Sequence, residues 1–269
     1  STTGSYNTGL GRDALRYTTT ADNNTGIGFA ALSANTTGGD NTAVGKAALT
    51  ANTTGERNTA VGAQAAVSTT TGSGNTATGY KALENNTTGS SNTALGQDTL
   101  RANTTGANNT SVGMDALSAN TTGTRNTAVG KDSLYTNTTG ARNVCLGFQA
   151  LYSNTTATDN TAVGHNALFN NTTGASNTTL GKSAGENVTT GAQNTFVGSL
   201  AGDATVDSSD NTAIGYLALS ADSGGTSTAV GAGALQIATG YDNTALGYNA
   251  GSSATSGHNN LILGHDAGV

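Results

Sequence analysis

Residues 41–57 read Asn41-Thr42-Ala43-Val44-Gly45-Lys46-Ala47-Ala48-Leu49-Thr50-Ala51-Asn52-Thr53-Thr54-Gly55-Glu56-Arg57, and at Asn58 the same phrase begins again. Its opening Asn recurs at Asn7, Asn24, Asn41, Asn58, Asn75, Asn92, Asn109, Asn126, Asn143, Asn160, Asn177, Asn194 and Asn211, every step being 17 residues. Steps of 16, 16 and 17 then lead through Ser227 and Asn243 to Asn260. Four residues after each start stands a Gly, from Gly11 to Gly264, in all sixteen copies. A fixed period of this length marks a stack of small repeated units, each unable to bury its apolar face alone.

Each part of the phrase has a physical reading. Asn-Thr-Ala-Val is short, half β-branched and bounded by Gly and Asn, which predicts a strand of about four residues. The Gly that follows suits a corner with positive φ or a close backbone approach, as at Gly45, Gly62, Gly96, Gly130 and Gly164. Asn-Thr-Thr-Gly reads as a second corner, because Asn and Gly tolerate left-handed backbone. The Ala-Leu segment between them reads as a second strand or as one turn of helix. Two packed helices do not fit into so short a repeat.

The fold expected is therefore all-β: a parallel β-solenoid of about sixteen 17-residue coils, one repeat domain spanning 1–269 with drift after about residue 177. Coils stacked at strand spacing, about 4.8 Å, predict a rod of roughly 75 Å with ladders of Asn and Thr along it. From Asn177 onward Gly185, Gly202, Gly251 and Gly268 replace the Leu, and Val188 and Val206 are the candidates to refill its volume. Two large apolar side chains per coil make a thin core. Strand alternation sets Ala43, Ala60, Ala94, Ala128, Ala162 and Ala213 opposite to the Val row. With Val inside, Ala faces out and permits close approach of another chain, so a homotrimer about the fibre axis is expected, with the single-chain solenoid as the alternative.

Composition agrees with a repeat and excludes several functions. The chain has 39 Gly, no Pro and no Trp, only 10% charged residues, and a net charge of −6. A nucleic-acid binder needs a basic footprint, which is missing here. No stretch approaches the length of an apolar membrane span, so no membrane insertion is expected. The single Cys145 occupies the Ala position of its coil and reads as a small buried hydrophobe. His165, His258 and His265 lack metal-ligand spacing, so neither metal nor cofactor is expected. No nucleophile stands with a base and no carboxylate pair suggests a cleft, which points away from an enzyme.

The Asn-Thr-Ala-Val-Gly unit resembles the head repeats of trimeric autotransporter adhesins. It resembles still more the Asn-Thr-Ala-Val-Gly…Ala-Leu…Asn-Thr-Thr-Gly arrays of tail-fibre-like proteins of phages and bacteria. The likeness covers essentially the whole chain, although the period is longer than that of the adhesin heads. It implies an elongated fibre, extracellular, at a cell surface or on a virion, and brings no catalytic residues with it. The expected role is a stiff stalk or fibre segment whose partners are other copies of itself. Both ends fall inside a repeat, which reads as a piece of a longer protein or as head-to-tail stacking.

Three other features invite a role. Tyr135, Tyr152 and Phe169 occupy one slot in three successive coils, where stacked rings suit the apolar faces of cell-surface glycans or simply stabilise the stack. Asn52, Asn103, Asn120, Asn137 and Asn154 each open an Asn-x-Thr glycosylation triplet, which corner chemistry explains equally. The Thr ladders allow ice binding as a weaker alternative, though Thr stands next to Asn and Gly corners and forms no Thr-x-Thr stripe. The residue after the repeat Gly (Arg12, Phe29, Lys46, Tyr80, Met114, Phe148, Tyr216 and Tyr248 among others) varies freely, which marks it as outward.

Overall fold

The computed structural model describes residues 3–268. It is a parallel β-solenoid with sixteen three-residue strands, one per coil, and no helix among the described residues. The chain divides into two compact units, Ser1–Thr139 and Gly140–Val269. In the first lie β1 (Thr8–Leu10), β2 (Thr25–Ile27), β3 (Thr42–Val44), β4 (Thr59–Val61), β5 (Thr76–Thr78), β6 (Thr93–Leu95), β7 (Thr110–Val112) and β8 (Thr127–Val129). In the second lie β9 (Val144–Leu146), β10 (Thr161–Val163), β11 (Thr178–Leu180), β12 (Thr195–Val197), β13 (Thr212–Ile214), β14 (Thr228–Val230), β15 (Thr244–Leu246) and β16 (Leu261–Leu263).

Within each unit every strand pairs in parallel with the next along the chain, in register with the repeat. Thr42 faces Thr59, Ala43 faces Ala60 and Val44 faces Val61. The 16-residue steps keep this register, since Thr212 faces Thr228 and Thr228 faces Thr244.

The inside of the coil differs from the expectation in one decisive respect. Ala43, Ala60, Ala94, Ala128, Ala162 and Ala213 are fully buried, whereas Val61, Leu95 and Ile214 are 37%, 48% and 40% exposed. Ala points inward, and the Val/Leu/Ile row points outward with the Thr row. The reason is space. The interior already holds a Leu from the turn segment, and at Gly26 an added Cβ would lie 3.2 Å from Leu15 Cγ. No room remains for Val.

The Ala-Leu segment is neither strand nor helix. It is a run of turns closed by bonds such as Ala48 N–H to Gly45 O, 3.3 Å, and Asn52 N–H to Leu49 O, 3.2 Å. These turns also stack on the next coil, with Leu49 N–H donating to Ala65 O at 3.0 Å and Thr53 N–H to Thr70 O at 2.9 Å. Three non-Gly positions in a coil take left-handed backbone, as in Asp40 (φ 59°), Ala47 (φ 57°) and Leu49 (φ 49°). Side chains rarely adopt this region because Cβ crowds the carbonyl. Here it turns the chain so that Leu32, Leu49, Leu83, Leu100, Leu117 and Leu134 are fully buried in the first unit.

The drift in the second unit now has a cause. Gly185, Gly202, Gly251 and Gly268 stand at the left-handed Leu position with φ of 62°, 60°, 65° and 68°. Phe196 occupies the inward Ala slot of β12 and is fully buried. A Cβ on Gly202 would lie 2.6 Å from three atoms of the Phe196 ring. Ile262 relates to Gly251 in the same way, 2.8 Å from its Cβ position. Val188 does fill the core, being fully buried, but Val206 is 37% exposed and does not.

Candidate functional site

Two corners carry most of the polar chemistry. At the closing corner Asn52 Nδ2 donates to Gly55 O of its own turn at 3.0 Å and to Asn35 Oδ1 of the preceding coil at 2.8 Å. Gly55 O also accepts from Asn41 Nδ2 at 2.8 Å, so one carbonyl ties the strand entrance to the end of the same coil. At the strand entrance Asn58 N–H donates to Asn41 Oδ1, 3.0 Å. The two Asn rows are thus hydrogen-bonded ladders inside the stack. Most of their polar groups have a partner repeated from coil to coil, as burial demands.

This assignment bears directly on the glycosylation triplets. Asn52, Asn103, Asn120, Asn137 and Asn154 are fully buried. Asn103 Nδ2 donates to Asn86 Oδ1 and Gly106 O at 2.8 and 3.0 Å, and Asn120 Nδ2 to Asn103 Oδ1 and Gly123 O at 2.7 and 3.1 Å. Asn137 Nδ2 reaches Asn120 Oδ1 at 2.9 Å, and Asn154 Nδ2 reaches Ala157 O at 3.2 Å. A glycan would have to replace a buried amide hydrogen, so the folded coil does not offer these nitrogens for modification.

The corner glycines meet two demands together. Gly45, Gly62, Gly96, Gly130 and Gly164 have φ of 139°, 137°, 139°, 130° and 138°. At Gly96 a Cβ would also lie 2.6 Å from Gly113 O of the next coil. Backbone meets backbone there, and only Gly fits.

The aromatic slot is assembled at least in the second unit. Tyr135, half-buried, belongs to the first unit; Tyr152 and Phe169, also half-buried, belong to the second. Tyr152 and Phe169 stack with centroids 5.1 Å apart and planes 13° from parallel. Each ring covers a face of the other, so this pair stabilises adjacent coils and offers an edge more than an open platform.

The outward rows are the exposed chemistry of the molecule. The strand's outer face mostly pairs Thr with Val, Leu or Ile; β5, with Thr76 and Thr78, carries Thr-x-Thr, but its neighbours β4 and β6 do not extend it. The position after the repeat Gly is outward as well: Phe29, Tyr80, Met114, Phe148, Tyr216 and Tyr248 are between 39% and 56% exposed. In the second unit this row runs Tyr216, Ala232, Tyr248, His265, and the following row runs Leu217, Gly233, Asn249, Asp266. One coil is reduced to Ala232-Gly233 between two coils that carry Tyr, and a cleft of about 190 Å³ opens there. Taken alone, Gly231-Ala232-Gly233 gives no sign of it. The signal lay in comparing coils, because the gap exists only relative to its neighbours.

Scattered ion pairs dot the surface, such as Lys81–Glu84 at 3.1 Å, and the Arg142–Asp159 pair is two-pronged. Arg142 Nε and Nη2 donate to Asp159 Oδ1 and Oδ2 at 2.6 and 2.8 Å. Those bonds, with a further one from the Thr158 hydroxyl, lower the Asp159 carboxyl to about 2. Burial pushes the Cys145 thiol well up. Among the described residues no group of three or more His, Cys, Asp and Glu is placed to hold a metal ion, and no helix is long and apolar enough to cross a membrane. Comparison of the chain with models of known protein families and with curated proteins gave no match.

Proposed function

We propose that this chain is a structural segment of an extracellular fibre, a stalk of a surface adhesin or of a phage tail fibre, built from three copies about a common axis. The observation that carries the reading is the outward apolar row. In the first unit Leu10, Val61 and Leu95, and in the second Leu146, Leu180, Ile214, Leu246 and Leu263, each the residue before the repeat Gly, are between 37% and 66% exposed. Single exposed apolar residues are ordinary, but the same outward position held by Val, Leu or Ile coil after coil within a unit marks an interaction surface. Other copies of the chain present the same row with the same spacing, so coil meets coil along it.

The contact proposed here replaces the one expected from sequence. Ala is buried within its own coil, so the surface between chains is the Thr and Val/Leu/Ile face. What suits the coil to a stalk is its construction. Within each unit backbone bonds join turn to turn, Pro is absent, and few charged side chains project. Each coil supports its neighbours, as in other solenoids, and stiffness follows from repetition.

Sedimentation equilibrium in native buffer tests the reading. It predicts three times the chain mass of 26.3 kDa, falling when Val61, Leu95, Val112 and Val129 are all changed to Thr. The chain mass alone, independent of concentration, would contradict it.

A further inference from the structure

The cleft between Tyr216 and Tyr248 is built unlike the rest of the outward row. The two rings are 56% and 53% exposed, and they stand two coils apart. Backbone bonds fix that step: Gly233 N–H donates to Tyr216 O and Asn249 N–H to Ala232 O, both at 2.9 Å. Tyr248 is braced on its far side by His265, stacked at 5.1 Å with planes 24° apart. In the intervening coil Ala232 leaves the space between the rings open, and buried Gly233 forms the floor.

The floor is polar in one sense only. A Cβ on Gly233 would clash with Asn249 Oδ1, 2.4 Å away, and Gln236 Oε1 is 3.8 Å from that same position. Two amide oxygens therefore converge over Gly233. Asn249 is held in this orientation because its Nδ2 donates to Asp266 Oδ1 at 3.1 Å. Every other coil carries a side chain where Gly233 stands, among them Gln149, Asn166, Leu217 and Asn249, so the opening is specific to this coil.

We infer that this cleft binds a single pyranose ring of a neutral glycan, held between Tyr216 and Tyr248 with hydroxyls donated to Asn249 Oδ1 and Gln236 Oε1. Four features select this ligand. The volume, about 190 Å³, suits one ring and falls below the roughly 300 Å³ at which pockets for larger ligands begin. Aromatic walls match the C–H faces of a sugar, and the amide acceptors call for hydroxyl donors. No cation lines the cleft in a chain of net charge −6, which disfavours phosphate or carboxylate. Two coil steps are about 9.6 Å, wider than the roughly 7 Å that a flat base stacked on both faces requires, but suited to a puckered ring. The inference concerns the side of the coil and is independent of self-association.

The slot also differs from the Tyr152–Phe169 pair, where the rings occupy the space that a ligand would need. Saturation-transfer difference NMR on the full chain tests the assignment, using the methyl β-glycosides of glucose, galactose and N-acetylglucosamine as probes. Concentrations of about 10 mM are appropriate, since a lone ring binds at roughly millimolar strength. At least one glycoside should receive saturation on its ring C–H protons. The signal should fall at least fivefold in A232Y, which fills the gap with the residue used one coil on either side, and should persist in Y152A. If A232Y does not fold, Q236A, a change at a half-exposed side chain, is expected to give the same loss. Wild-type transfer in A232Y or Q236A, or no transfer to any of the three glycosides, would overturn the proposal. Preferential displacement by phenol or indole would also overturn it, by assigning the cleft to an aromatic side chain of a partner protein.

Discussion

Asn52 stands one coil before Thr69, and that exchange of an amide for a hydroxyl leaves Asn52 Oδ1 buried without a donor. In the other direction Asn86 Nδ2 reaches Thr69 Oγ1 at 3.3 Å, a longer contact than the 2.8 Å between Asn103 and Asn86. The ladder is broken at Thr69 in the middle of the first unit, and Thr18 near its start leaves a hydroxyl unpaired in the same row. Asn171 repeats the situation, its Oδ1 orphaned where Val188 follows.

Restoring the rung should stabilise the fold. Thr69→Asn supplies a donor to Asn52 Oδ1 and a better acceptor for Asn86, and is expected to add about 1 kcal/mol. Urea denaturation would show this as a higher midpoint with unchanged slope. An unchanged or lower midpoint would mean that the ladder is not a source of stability.

The Phe196 and Gly202 pair should behave as a coupled unit. Gly202→Leu places a side chain into the Phe196 ring and is expected to cost about 3 kcal/mol or more, from overpacking together with left-handed strain. Phe196→Ala alone is expected to cost about 3–5 kcal/mol by leaving a cavity. The double variant restores the Ala-plus-Leu arrangement of the earlier coils. Its loss should be smaller than the sum by about 1–3 kcal/mol; additive losses would refute the exchange of Leu for Phe as the basis of the drift.

Adjacent residues of β6 should respond oppositely to substitution. Ala94→Val enlarges a fully buried side chain and is expected to lower stability by about 1–3 kcal/mol. Leu95→Thr alters an outward residue, already 48% exposed, and is expected to change the stability of the isolated chain by less than about 1 kcal/mol. Equilibrium unfolding of both, at a concentration where only single chains are present, checks the contrast.

Two titratable groups give independent checks. Asp159 should titrate near 2 by NMR and move toward the ordinary value of about 3.9 in Arg142→Ala. Because the folded value is lowered, whatever stability the pair contributes is complete above the unfolded value and is lost as pH falls toward 2. Its surface position keeps that contribution small. Cys145, fully buried with its thiol shifted upward, should resist a thiol reagent in the native protein and react once the chain is unfolded.

Much of the fold was legible in the sequence. The repeat Asn locates the strands, and thirteen of the sixteen repeat Gly positions are followed by an exposed residue and the other three by a half-buried one, as their variation suggests. The face of the strand was not legible. Ala43 and Val44 are both apolar, and shifting by one residue exchanges inside for outside; hydrophobicity ranks Val inward, while the volume left beside Leu49 admits only Ala. The turn segment was hidden for a different reason. Left-handed backbone at Leu32 or Leu49 (φ 51° and 49°) runs against local preference, and stacking between coils overrides it. Phe196 was visible as an anomaly in the Ala row, but its meaning depends on that inward orientation. For the candidate site, Tyr216 and Tyr248 were recognisable as outward, whereas the cleft required knowing that Ala232 stands between them.

Cryo-electron microscopy of the full chain in native buffer tests the central claim most directly. The account predicts threefold-symmetric particles with coil layers about 4.8 Å apart and the row containing Val61, Leu95, Ile214 and Leu246 turned toward the axis. Single-chain particles with that row in solvent, or an assembly joined through any other face, would contradict it.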